Sequence, residues 1–124
     1  MKHIKLFESF DRYEFGEFKG NYDLLNFHQI QRDIKPSVID FTQDEEKDIS
    51  ETLKNTKRAL ITITAAGKCY TFSKIYGDGF VRYNIYSLGD YCYCIIGYSE
   101  KHVVSHYEII DGLDILCEKL KSII

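Results

Sequence analysis

Hydrophobic and polar positions alternate with a period of two through most of the second half of the chain. The alternation forms five runs rich in Ile, Val, Thr, Tyr and Phe, the residue types that favour β-strands. Consecutive runs are separated by only two or three residues, and links this short join only antiparallel neighbours. The pattern therefore predicts a five-stranded antiparallel meander with strands at Arg58–Thr64, Lys68–Tyr76, Phe80–Leu88, Tyr91–Tyr98 and His102–Ile109.

The segments before and after this meander have apolar residues at helical spacing. Thr42 followed by Glu45 matches a capping box and predicts a helix over residues 43–55. After Asp111, which suits the N-cap position, apolar residues recur at three- and four-residue spacing and predict a closing helix over residues 112–124. Its apolar face comprises Leu113, Leu116, Cys117, Leu120, Ile123 and Ile124. We expect both helices to pack on one face of the sheet, which makes the fold class α+β.

The first 20 residues, MKHIKLFESFDRYEFGEFKG, have a different pattern. Four Phe residues recur close to one helical face, so we expect a short amphipathic helix that packs on the body. Weak helical character follows up to Ile34, and the Lys35-Pro36 pair breaks it. The 124-residue length suits one hydrophobic core. We therefore divide the chain into a leader segment, residues 1–20, and a single α+β domain, residues 21–124.

Composition and charge exclude several classes of protein. The chain has 16 Lys and Arg against 19 Asp and Glu, and no dense basic patch, so nucleic acid is an unlikely partner. It has no apolar run of about 20 residues and no secretory signal, so we expect no membrane association. The chain has four cysteines and no such signal. We therefore expect free thiols in a reducing cytosol rather than a disulfide framework.

Cysteine and histidine supply the only candidate metal chemistry. If Tyr98 pairs with His102 across the last turn, Cys94 lies opposite His106 and Cys92 lies diagonal to it. Thiolate and imidazole bind zinc, but structural zinc sites place their cysteines on tight knuckles rather than on strands. We therefore expect buried thiols, no metal and no cofactor, and keep these three residues as an outside alternative. Since motifs for serine hydrolases, P-loops, dinucleotide binding and zinc proteases are also missing, we expect no enzyme.

The chain holds ten Tyr and eight Phe, and most of the tyrosines fall in the predicted strands. They can form the core, a protein interface or a surface that stacks single-stranded bases. Tyr is enriched at interfaces because it offers a large contact area at low entropic cost. The protein-interface candidates are Tyr70, Tyr76, Tyr86, Tyr93 and Phe72.

The opening MKHIKLFESF resembles the leaders of small proteins of tailed bacteriophages. It is also similar to the capsid-targeting leaders of internal head proteins in T-even-type phages, which a prohead protease removes after Leu/Ile-x-Glu. Leu6-Phe7-Glu8 fits that pattern, so the resemblance implies cleavage after Glu8. The closing strand and Leu-rich helix at Ile110–Leu120 are similar to phage proteins with this leader too.

This resemblance and the lack of catalytic motifs predict a non-enzymatic accessory phage protein. We expect it to bind a host protein, in host defence or nucleic-acid metabolism, and to act in the host cytoplasm. The alternative is an internal structural protein packaged in the virion. A weaker alternative is a single-stranded nucleic-acid binder that uses the same tyrosines. A homodimer, formed through an edge strand or the Tyr-rich face, stays open.

Overall fold

One antiparallel sheet organises the residues that the computed structural model describes, which are 26–56, 59–77 and 79–124. Its strand order is β1-β2-β3-β4-β5, so each strand pairs with the next along the chain. The predicted meander and the α+β class are confirmed, with strand ends shifted by one to two residues. The strands are β1 (Leu60–Thr64), β2 (Gly67–Tyr76), β3 (Gly79–Gly89), β4 (Cys92–Ser99) and β5 (Val104–Asp111).

The helices of the described chain are α1 (Phe27–Ile34), α2 (Gln43–Leu53) and α3 (Leu113–Ile123), and a 3-10 turn at Lys35–Ser37 follows α1. The capping box of α2 is confirmed: Thr42 Oγ1 accepts from Glu45 N, and Glu45 Oε1 accepts from Thr42 N. The proposed N-cap of α3 is wrong. Asp111 pairs with Cys92 as the last residue of β5, and Gly112 precedes the helix without a side-chain cap.

The first face of the sheet packs against α2 and α3. Ile49 and Leu53 of α2, and Leu116, Leu120 and Ile123 of α3, are buried against it. The prediction that both helices share one face is therefore confirmed. Leu113 is only partly buried because it lies at the start of α3. The sheet contributes Tyr70, Phe72, Tyr83, Ile85, Tyr93, Ile95 and Ile110 to this core.

The second face packs against α1, whose Phe27, Ile30 and Ile34 are buried in a separate core. Eight helical residues extend about 12 Å, and strands lie about 4.8 Å apart, so α1 spans only two to three strands. Its ring contact between Phe27 and Tyr98, at 4.2 Å between centroids, places it over the β4 side. Within the described chain, the β1–β2 side of this face is left without a covering helix.

Residues 38–41 carry the chain from the second face to the first around one end of the sheet. Ile39 N donates a 2.9 Å hydrogen bond to Ser87 O, and Phe41 then enters the first core. Gly67 is required at this crossing, because its φ is +132° and a Cβ there would lie 2.9 Å from Val38 Cγ1. The two cores are thus tied together at the ends of β2 and β3.

The leader and its predicted cleavage site at Glu8 lie outside the described residues. None of the helices that the structure describes has the length and apolar character needed to cross a membrane.

Candidate functional site

An open groove of about 430 Å³ lies on the uncovered side of the second face. Strands β1, β2 and β3 form its floor, and Tyr98 of β4 closes it toward α1. The lining residues are Leu60, Thr62, Thr64, Thr71, Phe72, Ser73, Arg82, Asn84 and Tyr98. This set is called the groove below. Its volume lies within the range of small-molecule and peptide sites.

A hydrogen-bonded network fixes the deep side of the groove. Asn84, which is buried, donates from Nδ2 to the Tyr86 hydroxyl at 3.2 Å and accepts from the Tyr98 hydroxyl at 3.4 Å. Thr64 Oγ1 shares a 2.9 Å hydrogen bond with the same Tyr86 hydroxyl. Because the Tyr86 hydroxyl is bonded to both Thr64 and Asn84, and Asn84 also contacts Tyr98, these polar groups are fixed relative to one another. Rigid polar walls reduce the ordering cost of binding.

The groove also contains a buried hydroxyl, a guanidinium and exposed apolar side chains. The Thr71 hydroxyl is buried on the groove floor, and no hydrogen-bond partner for it exists in the described part of the chain. Arg82 is exposed beside it and lies over the Phe80 ring at 5.6 Å. Leu60 at one rim and Ile75 beyond the other are exposed apolar side chains. This combination of an apolar rim and a guanidinium suits a protein-binding surface.

Four of the five predicted interface residues are core residues instead. Tyr70, Phe72 and Tyr93 are buried under α2 and α3, and Tyr86 is buried under α1. This corrects the expectation that they form an exposed aromatic face, because helices cover both faces of the middle strands. Tyr76 alone of the five is exposed, at 48%, with Lys74 Nζ 5.4 Å from its ring centre.

The buried tyrosine hydroxyls tether helices to the sheet. On the first face, Tyr70 shares a 3.1 Å hydrogen bond with Ser50 Oγ of α2. Tyr93 donates to Glu45 Oε2, so the carboxylate that closes the capping box also anchors α2 to β4. These contacts give Tyr70 and Tyr93 a structural role in the first core.

The alternative metal set of Cys92, Cys94 and His106 is not assembled. Cys94 lies opposite Ile109 on the second face, whereas His106 lies opposite Gly97 on the first face, against the Tyr83 ring. The predicted register is wrong because Tyr98 pairs with Val104 rather than with His102. Among all the residues described, no group of three or more His, Cys, Asp or Glu is arranged to hold a metal ion.

The three sheet cysteines are buried thiols. Burial raises the pKa of Cys69 to about 12 and that of Cys92 to about 12, and burial raises the pKa of Cys94 as well. Since the thiolate is the nucleophilic form, these residues are unreactive at neutral pH. A nucleophile pair of Cys94 and His106 would therefore have neither the geometry nor the ionisation that it needs.

These raised pKa values predict that the protein loses stability at alkaline pH. The unfolded chain releases thiol protons above a pKa of about 9, while the folded chain keeps them, so unfolding is favoured as the pH rises. Cys69 and Cys92 should each cost about 1 kcal/mol of unfolding free energy between pH 9 and 10. Urea unfolding at pH 7, 9 and 10 measures this loss. A Cys69→Ala variant should show a shallower decline, and an unchanged free energy across this range would contradict the assignment.

A larger but shallower groove of about 580 Å³ separates α2 from α3. Asp48 and Glu51 of α2 and Asp114 and Glu118 of α3 line it, together with Lys54 and Lys121. The charged residues of the two helices therefore form a solvated surface of mixed charge. It can steer a basic partner toward the protein, but it has no enclosed polar contacts that would define a site.

Sequence reasoning missed the groove although a signal was present. In β2, the polar residues Thr71 and Ser73 alternate with Tyr70 and Phe72. This alternation marks a strand with one polar face, and Asn84 on the facing strand extends it.

Comparison of the chain with models of protein families, with curated proteins and with solved structures gives no match.

Proposed function

We propose that this chain is an accessory bacteriophage protein that acts by binding a host protein, and that the groove is its contact surface. The observation that carries the proposal is the half-covered second face. A concave wall of fixed polar groups there meets exposed apolar side chains. Such a surface costs little to order and has apolar area to bury, as protein interfaces do.

Arg82 and Tyr98 supply the anchor types that carry most of the energy in protein interfaces. Arg82 is exposed on β3, and its cross-strand partner is Tyr98. The guanidinium can bind a carboxylate or a backbone carbonyl of the partner. The partner is therefore expected to present a polar segment flanked by apolar residues.

The non-enzymatic part of the proposal is supported by the state of the cysteines. Three of the four potential thiol nucleophiles are buried with raised pKa values, and none of these lies beside His106. The phage assignment is supported by the sequence resemblance of the leader and of the closing segment Ile110–Leu120. Host defence and nucleic-acid metabolism stay the expected settings for the partner.

The test is affinity purification of the tagged full-length chain from infected and from uninfected host cells, with mass spectrometry of purified virions alongside. We expect one host protein to be recovered in stoichiometric amount from both kinds of cell. A chain that begins at Ser9 in virions, without a host partner, would replace the proposal with the packaged structural protein. Recovery of nucleic acid that disappears as salt rises would favour the single-stranded nucleic-acid binder.

A further inference from the structure

The two edges of the sheet differ in how they are protected. Edge strand β5 carries His106 and Glu108, and Lys119 of α3 holds Glu108 at 3.2 Å. The neighbouring Val103 is bridged by Asn26. Edge strand β1 has the sequence Leu-Ile-Thr-Ile-Thr and carries no charge. Uncharged, exposed edge strands are templates for pairing with another strand.

The outer side of β1 presents unpaired backbone groups. Thr64 and Gly67 flank the two-residue turn to β2 and form its closing pair. Since alternate residues direct their N–H and C=O groups to opposite sides of a strand, Thr62 and Leu60 also face β2. Ile61 and Ile63 therefore direct theirs outward. No other described strand pairs with this side.

We infer that a second copy of this chain pairs with β1 in antiparallel fashion, about a two-fold axis at Thr62. This register aligns Ile61 with Ile63 of the other copy, and these are the residues whose backbone groups point outward. It also brings all five residues of the strand into pairs, because Leu60 then faces Thr64. A two-fold interface requires such self-complementarity, because each copy presents the same residues to the other.

The exposed isoleucine side chains of β1 also support a two-fold axis at Thr62. Ile63 is 80% exposed and Ile61 is 39% exposed, and both lie on the first face. The axis gathers four isoleucines, two from each copy, into one exposed cluster that becomes covered on pairing. Within the described residues of β1, no like charges face each other across this axis.

The dimer extends the sheet to ten strands and joins the two grooves. Leu60, Thr62 and Thr64 line the groove and lie on the second face of β1. Pairing at Thr62 therefore places the grooves of the two copies side by side across the axis. The surface offered to a partner becomes two-fold symmetric and about twice as wide.

Cysteine cross-linking of the full-length chain tests the register. In a Cys117→Ser background, Thr62→Cys places two thiols on a directly opposed pair that is not hydrogen-bonded, about 4.5 Å apart at Cα, where a disulfide fits. Thr64→Cys is the matched control, since its copies would lie about 13 Å apart. With a mild oxidant, we expect a covalent dimer from Thr62→Cys and little from Thr64→Cys. Equal cross-linking of both variants would overturn the register.

Sedimentation of the uncross-linked chain tests the association itself. Because a five-residue edge contact is smaller than a standard interface, the monomer–dimer equilibrium should appear between about 1 and 100 µM. Ile63→Lys should give monomer throughout, whereas the control Ile75→Lys, at a position of the same 80% exposure away from β1, should still dimerise. A monomeric wild-type chain would overturn the inference. This result is independent of host-partner capture, which needs only the groove of one copy.

Discussion

Replacing Leu116 by alanine should lower the free energy of unfolding by about 2–5 kcal/mol. Leu116 has no exposed surface and lies in the first core between α3 and the sheet. The smaller side chain removes apolar contacts and leaves a cavity that the surrounding sheet and helices refill only in part. Urea or thermal unfolding, followed by circular dichroism, measures the change.

Ile115 provides the matched control in the same helix. Its side chain is 55% exposed, so Ile115→Ala should change the free energy of unfolding by no more than about 0.5 kcal/mol. If both variants lost similar stability, α3 would not pack on the sheet through the face that contains Leu116. The two-layer arrangement on the first face would then be contradicted.

Glu45→Ala should lower the free energy of unfolding by about 2–4 kcal/mol, because this one carboxylate accepts two hydrogen bonds. Glu45 accepts from Thr42 N at the start of α2 and from the buried hydroxyl of Tyr93. Its loss removes part of the helix cap and leaves that hydroxyl unpaired. Glu46→Ala is the control, because it alters the same helical turn and charge without those two hydrogen bonds, and should cost about 1 kcal/mol or less.

A double-mutant cycle with Tyr93→Phe separates the two hydrogen bonds of Glu45. The Tyr93→Phe variant has no hydroxyl that Glu45→Ala could leave unpaired. In this background, Glu45→Ala should therefore lower the free energy of unfolding less than it does in the wild type, by about 1 kcal/mol or more. Equal costs in both backgrounds would show that Tyr93 and Glu45 do not interact. Denaturant unfolding of the four proteins supplies all the values.

The order and direction of the strands could be predicted because they depend on local signals. Alternating hydrophobicity from β1 to β5 and gaps of two or three residues allow only a meander. The start of α2 was equally local, since Thr42 and Glu45 lie three residues apart. These features need no information about contacts distant in sequence.

The faces of the sheet could not be assigned from residue parity. Tyr70 and Tyr86 are an even number of residues apart, which alone would put them on one side. However, Tyr76 pairs with Gly79, so Tyr70 lies opposite Ile85. A change of one residue in a turn sends every following side chain to the other face. Tyr70 therefore faces α2, and Tyr86 faces α1.

Strand register also determines where Cys94 and His106 lie, whereas the length of α1 determines where the groove lies. The turn before β5 shifts the register by two residues at Tyr98, and an irregularity between Gly97 and Tyr98 adds one more, which separates Cys94 from His106. The groove exists because α1 is too short to cover the whole second face, and the length of α1 was not readable from its weak helical pattern. The polar residues of β2 were the available signal.

The most direct test of the groove as the binding surface is partner retention by two arginine variants. Arg82 is exposed in the groove, and Arg32 is exposed on α1, so either can be replaced by alanine without disturbing a core. With the host protein captured by the wild-type chain, Arg82→Ala should weaken binding about tenfold or more, and Arg32→Ala should leave it unchanged. Equal retention of the partner by both variants, or loss with Arg32→Ala alone, would contradict the account.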